Sequence, residues 1–268
     1  MDVAAVMYGE VPLPPPRRAP APPIETVGPG IKLIEDPATT PPEGLRLVLV
    51  SDTHGLHRQL AVPPGDVLVH AGDFTRYGRE EDAQDFGAWL KELPHAHKIV
   101  AFGNHEANAP WRRDLGATLP GATTLCNGGT EVPLHDEGAA PLRLFAPDFC
   151  WPMHPSANNP AYSLIPAGVD VLVTHGPVKG HLDGEGVALG CPCLLEHVRR
   201  ARPRLVVCGH IHGSHGACWG KAAGTEGTLF VNAANAAPEK RHVIGWAPVV
   251  VDLVPRVAVG AEGAKQPP

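Results

Sequence analysis

The chain has 268 residues, with 22 Lys and Arg against 28 Asp and Glu, a formal net charge of −6 at pH 7 when histidine is neutral. This acidic balance speaks against a strong nucleic-acid patch and against a polybasic membrane anchor. No apolar run approaches the ~18 residues of a membrane span, and the N-terminus lacks a charged-then-apolar signal, so a cytoplasmic protein is expected.

Residues 1–44 read as a proline-rich leader, extended or disordered. Proline recurs from Pro12 to Pro42, and because it lacks an N–H and fixes φ, the segment is not expected to join a ladder or continue a helix. Residues 45–253 suffice for one domain with a sizeable core, and residues 254–268 read as a flexible tail. The six cysteines show no framework spacing, and Cys191-Pro192-Cys193 is too tight for a Cys-x-x-Cys pattern. Reduced, intracellular thiols are expected.

Five short apolar runs follow, and each ends in a polar motif. Leu45 to Val50 leads into Asp52-Thr53-His54. Asp66 to His70 leads into Gly72-Asp73, and Lys98 to Phe102 into Gly103-Asn104-His105-Glu106. Val169 to Val173 leads into Thr174-His175-Gly176, and Arg204 to Val207 into Gly209-His210-Ile211-His212. Nearly continuous apolar runs of this length suit strands covered on both faces. Glu80 to Leu93 sets Phe86, Leu90 and Leu93 on one helical face, and Cys193 to Ala201 does the same with Leu194, Leu195 and Val198. Ala122 to Leu125, Thr130 to Leu134, Leu142 to Phe145, Thr228 to Val231 and Val243 to Leu253 read as further strands, the last broken by Gly245 and Pro248. The predicted fold is α/β, with two packed β-sheets and helices outside.

Ligands of open α/β sheets bind outside the carboxyl ends of the strands, where all five motifs fall. In an extended segment, residues two apart point the same way, so Asp52 and His54 can approach one ion together, and His210 and His212 repeat the spacing. Asp73 can bridge two cations, Asn104 offers an amide oxygen and His175 an imidazole. Asp52, His54, Asp73, Asn104, His175, His210 and His212 are therefore the candidate metal ligands, enough for two ions sharing Asp73. Their mixed O and N donors suit Mn, Fe or Zn better than Mg. Two such ions outweigh the two carboxylates, so the site attracts a phosphate ester and generates hydroxide near neutral pH. His105 and the bridging Asp73 are the candidate catalytic residues, His105 placed as a general acid for the leaving oxygen, with Glu106 as its orienting partner. Asn104, His105 and His215 are candidates for touching substrate.

At these motifs the chain resembles the calcineurin-like metallophosphoesterases. The matching segments are SDTHG (51–55), HAGDF (70–74), GNHE (103–106), THGP (174–177) and GHIHG (209–213). It is similar in particular to the metallophosphoesterase-domain-containing subfamily, through GDVLVHAGDFTRYG (65–78), HKIVAFGNHE (97–106), IPAGVDVLVTHGP (165–177) and FVNAAN (230–235). The resemblance covers most of residues 45–253 and implies a β-sandwich flanked by helices. It implies one metal on Asp52, His54, Asp73 and His212, and the other on Asp73, Asn104, His175 and His210. It also implies phosphodiesterase activity, cyclic nucleotides included. Two departures stand out. Arg76-Tyr77-Gly78 replaces the Asp-Arg-Gly triplet of the protein Ser/Thr phosphatase branch, and the stretch from Pro147 to Leu164 is shorter than in the subfamily.

The expected function is hydrolysis of a phosphodiester or phosphomonoester, of a small nucleotide in particular. The alternative is a metal- and nucleotide-binding protein with little turnover, a sensor or scaffold. A nuclease is disfavoured by the acidic balance. Protein partners are not legible. His70 reads as a packing residue, while His57, His95, His97, His135, His154, His181, His197 and His242 read as surface or loop residues.

Overall fold

The computed structural model describes residues 30–134, 139–149, 159–238 and 243–254. Strands and helices are numbered in chain order. One mixed sheet has the spatial order β1 (Ile31–Ile34), β12 (Val249–Leu253), β2 (Leu45–Val50), β3 (Val67–His70), β4 (His97–Val100), β5 (Thr123–Thr124). The other runs β10 (Gly216–Trp219), β11 (Leu229–Asn232), β9 (Leu205–Cys208), β8 (Val171–Val173), β7 (Leu142–Ala146), β6 (Gly128–Val132). The helices are α1 (Glu80–Glu92), α2 (Leu115–Thr118), α3 (Pro160–Ser163) and α4 (Pro192–Ala201).

The apolar runs are continuous because the strands are covered twice. Leu45, Leu47, Leu49, Val67 and Val69 face inward and meet Val171, Val173, Leu205 and Val207 of the opposite sheet. Val48, Val50 and Leu68 face outward beneath Phe86, Trp89 and Leu90 of α1. Leu172, Val206 and Phe230 are covered by Leu194 and Val198 of α4. Each such side chain contributes roughly 1.5–3 kcal/mol by leaving water. Arg46 interrupts the first run and is buried all the same. It lies opposite Asp252 on β12, its Nε donating to Oδ1 at 2.8 Å and its Nη2 to Oδ2 at 2.9 Å.

Strand and helix ends fall within two residues of expectation for β2, β3, β8, β9, α1 and α4. Two expectations are corrected. Ile31–Ile34, inside the expected leader, pairs antiparallel with β12 and closes the sheet edge, because these four residues lie between Pro29 and Pro37 and keep their N–H groups. The domain therefore takes in residues before Leu45. The last strand is shorter than expected, beginning only at Val249, after Pro248. The remainder of the leader (1–29), most of the tail (255–268) and residues 150–158 lie outside the described residues.

β2, β3 and β4 run parallel to one another, as do β8, β9 and β11. A parallel bridge between Ser51 and Ala234 joins the exits of β2 and β11, so both sets of carboxyl ends open at the same end of the sandwich. Among the described residues, no helix is long and apolar enough to cross a membrane.

Candidate metal centre

Asp52, His54, Asp73 and His210 all have positive φ, between 44° and 66°. Left-handed backbone is uncommon for residues other than glycine, although Asp and His tolerate it better than most, and strain of this kind collects at functional sites. It also changes the expected geometry. Asp52 and His54 do not converge through an extended segment, and neither do His210 and His212, since His212 opens a short 3₁₀ turn. The chain instead turns sharply after each strand and aims both side chains inward.

Tight glycine packing closes these turns. Gly72 has φ +102°, and a Cβ there would lie 2.6 Å from the Gly103 nitrogen and 2.8 Å from His175 Nδ1. A Cβ on Gly103 would overlap the Asp73 carboxylate, and one on Gly209 would overlap Asp52 Oδ2 and Ser51 Oγ.

The result is three overlapping clusters: Asp52 with His54 and His212, His54 with Asp73 and His105, and Asp73 with His175 and His210, the ligand atoms of each lying within 4.8 Å of one another. His212 Nε2 is 3.1 Å from Asp52 Oδ1 and 3.2 Å from His54 Nε2. His175 Nε2 is 3.2 Å from Asp73 Oδ2, 3.2 Å from Asn104 Oδ1 and 3.3 Å from His210 Nδ1. His175 Nδ1 donates to the Ala71 carbonyl at 2.9 Å, which fixes the ring and turns Nε2 toward the cluster, the orientation a metal-binding imidazole needs. His54, Asp73, Asn104, His105, His210 and His212 line a cavity of about 280 Å³.

The donors fit a pair of cations. Twice, two ring nitrogens face each other at 3.2–3.3 Å, where one proton at most can lie between them. A shared cation takes both lone pairs. His54 Nδ1 is buried without a hydrogen-bond partner. Phe149 covers the second pair, its ring 5.2 Å from that of His175 and 5.9 Å from that of His210.

The charges agree. Burial opposes ionisation of Asp52, but His175, His212 and His54 outweigh it and hold this carboxyl well below the usual range. Burial pushes His54 and His210 down to about 4. Burial also opposes charge on His175, yet Asp73 and Asp52 raise it to about 10. The folded value lies above the ordinary 6.5, so in chelated protein this residue's stabilisation is fully present below about pH 6.5 and is lost as pH rises toward 10. A cation must displace that proton. Titration calorimetry with Mn²⁺ near pH 8, in buffers of different ionisation enthalpy, should show proton release, and apparent affinity should rise with pH. Binding without proton release would contradict a seat on His175.

Glu106 does not orient His105. It is fully buried and accepts from the backbone nitrogens of Asp73 and Thr75 at 2.9 Å and of Gly103 at 3.0 Å, bracing the Asp73 turn. His105 Nδ1 instead donates to the Arg76 carbonyl, and its Nε2 faces Asp73 Oδ2 at 3.7 Å. Its ring lies beside that of His54, with centroids 4.7 Å apart. His215 does not line the cavity. It donates from Nδ1 to the Ala234 carbonyl at 2.8 Å and stacks on Trp246.

Two asparagines that carry no sequence-based role brace the turns of the centre. Asn232 donates to the Ile211 and Gly209 carbonyls at 3.0 and 3.3 Å, and Asn235 accepts from Ser51 N at 3.1 Å. Both sit in FVNAAN, where two buried asparagines at a strand end are the legible signal. His70, as expected, packs in the core, between Phe74 and Phe86, and also supports the site by accepting from Gly72 N at 3.2 Å and meeting Thr53 Oγ1 at 3.1 Å. His57 is fully buried against Asp85 at 3.0 Å, while His95 and His181 lie in loops, as expected, but are buried there and not on the surface. His135, His154 and His242 lie outside the described residues.

A sandwich of two mixed sheets, with aspartates and histidines gathered at the shared carboxyl end, defines the metallophosphoesterase class. The calcineurin-like phosphoesterase family model matches residues 45–214. The human metallophosphoesterase domain-containing protein 1 is 36% identical over 247 residues, covering 81% of this chain and 73% of its own length. A UPF0046 protein of Caenorhabditis elegans is 31% identical over 246 residues, covering 81% and 78%. A solved structure covering 71% of this chain and 90% of its own superposes with a TM-score of 0.50 at 12% identity, a likeness of fold alone. The chain belongs to the calcineurin-like phosphoesterase family, which uses divalent metals and hydrolyses phosphoric esters.

Proposed function

We propose that this chain hydrolyses a phosphodiester or phosphomonoester of a small nucleotide, cyclic ones included. The observation that carries the reading is the meeting of donor atoms from five strand ends in three overlapping clusters, each within 4.8 Å. Asp52, His54, Asp73 and His212 would hold one divalent ion, and Asp73, Asn104, His175 and His210 the other, with Mn, Fe or Zn matching the donors. When bound, such ions supply positive charge for the phosphoryl oxygens and an activated water.

The protein's own residues do the rest. With Nδ1–H committed to the Arg76 carbonyl, Nε2 is the His105 atom left to pass a proton to substrate in the cavity that His105 lines. Hydrolysis forms a P–O bond to the oxygen of water and breaks the ester P–O bond, and the departing ester oxygen takes a proton from His105 Nε2. Asn104, exposed at the cavity wall, can also meet a phosphoryl oxygen. His105→Ala should lower kcat by roughly 10²–10⁴-fold with metal content unchanged. Parallel loss of metal would make His105 a ligand and not an acid. The reading as a whole is tested with Mn²⁺-loaded protein, bis-p-nitrophenyl phosphate and 2′,3′-cyclic nucleotides. Turnover of neither, with tight nucleotide binding, would replace the enzyme by a sensor.

A further inference from the structure

We propose that Tyr77 is the stacking platform for the organic part of the substrate, which makes this site select phosphate esters that carry an aromatic ring or a nucleobase. The proposal rests on the phosphoesterase reading above. Tyr77 is 66% exposed, the most exposed of the large hydrophobic side chains among the described residues. Its ring lies nearly parallel to that of His105, with 17° between the planes and 6.1 Å between centroids.

The turn that presents it is held on several sides. The Arg76 carbonyl accepts from His105 Nδ1. Gly78 N donates to Thr75 Oγ1 at 2.9 Å, and Trp111 Nε1 donates to the Gly78 carbonyl at 2.8 Å. Gly78 has φ +72°, and a Cβ there would crowd the His105 carbonyl oxygen, so the turn sits directly against the backbone of His105. Tyr77 is thus an exposed aromatic side chain on a firmly held turn, beside the ring of the group that protonates the leaving oxygen.

The division of labour follows from polarity. The cavity wall is mostly polar, with His54, Asp73, Asn104, His105, His210 and His212 beside Ile211, Gly213 and Pro238, which suits a phosphoryl group better than an aromatic ring. The group on the leaving oxygen must lie on the His105 side, where Tyr77 stands. Aromatic faces stack on any base or aryl ring, without hydrogen bonds that would single out one of them.

The test uses non-hydrolysable probes, so it does not depend on turnover. Binding of phenylphosphonate and methylphosphonate to Mn²⁺-loaded protein is measured by calorimetry for wild type, Tyr77→Ala and Tyr77→Phe. Wild type should prefer the phenyl compound by roughly 5- to 100-fold. Tyr77→Ala should abolish the preference while binding methylphosphonate as before, and Tyr77→Phe should retain it. A wild-type protein without preference, or a preference untouched in Tyr77→Ala, overturns the stacking role alone. Failure of both phosphonates to bind overturns the phosphate site and this proposal with it.

Discussion

Asp73→Asn should strip metal and activity together. Asp73 is the one carboxylate common to two of the three donor clusters, lying beside His54 and His105 on one side and His175 and His210 on the other. An amide keeps the volume and the acceptance of the His105 backbone N–H, now made at 3.0 Å. It loses the charge and one of the two carboxylate oxygens. Without that charge, two cations bound at this centre would be held by Asp52 alone among the carboxylates, with neutral imidazoles and amides for the rest, and the mutual repulsion of the ions would go largely uncompensated. Metal catalysis supplies several kcal/mol of transition-state stabilisation, and each 1.36 kcal/mol is tenfold, so kcat/KM should fall at least about 10³-fold. Metal analysis of the dialysed variant should show less than the wild-type content. Full metal content with normal turnover would rule out a bridging role.

Gly209→Ala should also be damaging, although it replaces none of the candidate ligands. Gly209 is not among the glycines with positive φ, so alanine suits its backbone, and any effect comes from the added methyl group alone. That methyl would overlap Asp52 Oδ2 and Ser51 Oγ, both of which are enclosed. Asp52 cannot move freely, because it accepts the His210 backbone N–H at 2.9–3.1 Å and sits 3.1 Å from His212. Either the carboxylate is pushed aside or the 209–212 turn lifts. Overpacking of this kind costs about 1–3 kcal/mol of stability, and a displacement near 1 Å costs about 10²-fold in rate. The expected variant folds with unchanged far-UV circular dichroism, melts a few degrees lower and has about 10²-fold weaker kcat/KM. Wild-type kinetics would mean that Asp52 is not held where catalysis needs it.

The sandwich and the meeting of the candidate donor side chains at its end were legible because their signals are local. A run such as Leu45 to Val50 can be apolar throughout only if both faces are covered, and the opposite sheet and α1 cover them. The polar motifs after such runs mark strand exits, and the structure brings those exits together. What escaped the sequence depends on distant partners or on backbone detail. His57 looks like a loop residue until Asp85, Phe86 and Trp89 of α1 close over it. Glu106 follows His105 directly, which suggested a partnership, but its carboxylate turns toward three backbone nitrogens. The left-handed φ of Asp52 and His54 reverses the argument from extended spacing while leading to the same convergence. Ile31–Ile34 were masked by prolines on either side, although the four residues themselves can pair. His215 follows two candidate ligands closely in sequence, yet Trp246 and the Ala234 carbonyl hold it out of the cavity.

Anomalous diffraction from crystals of the Mn²⁺-loaded protein tests the centre most directly. The expected map has two peaks at the joint carboxyl end of the sheets, one near His54 and His212, the other near His175 and His210, with the Asp73 carboxylate between them. One peak remote from Asp73, or no peak among these side chains, would contradict it.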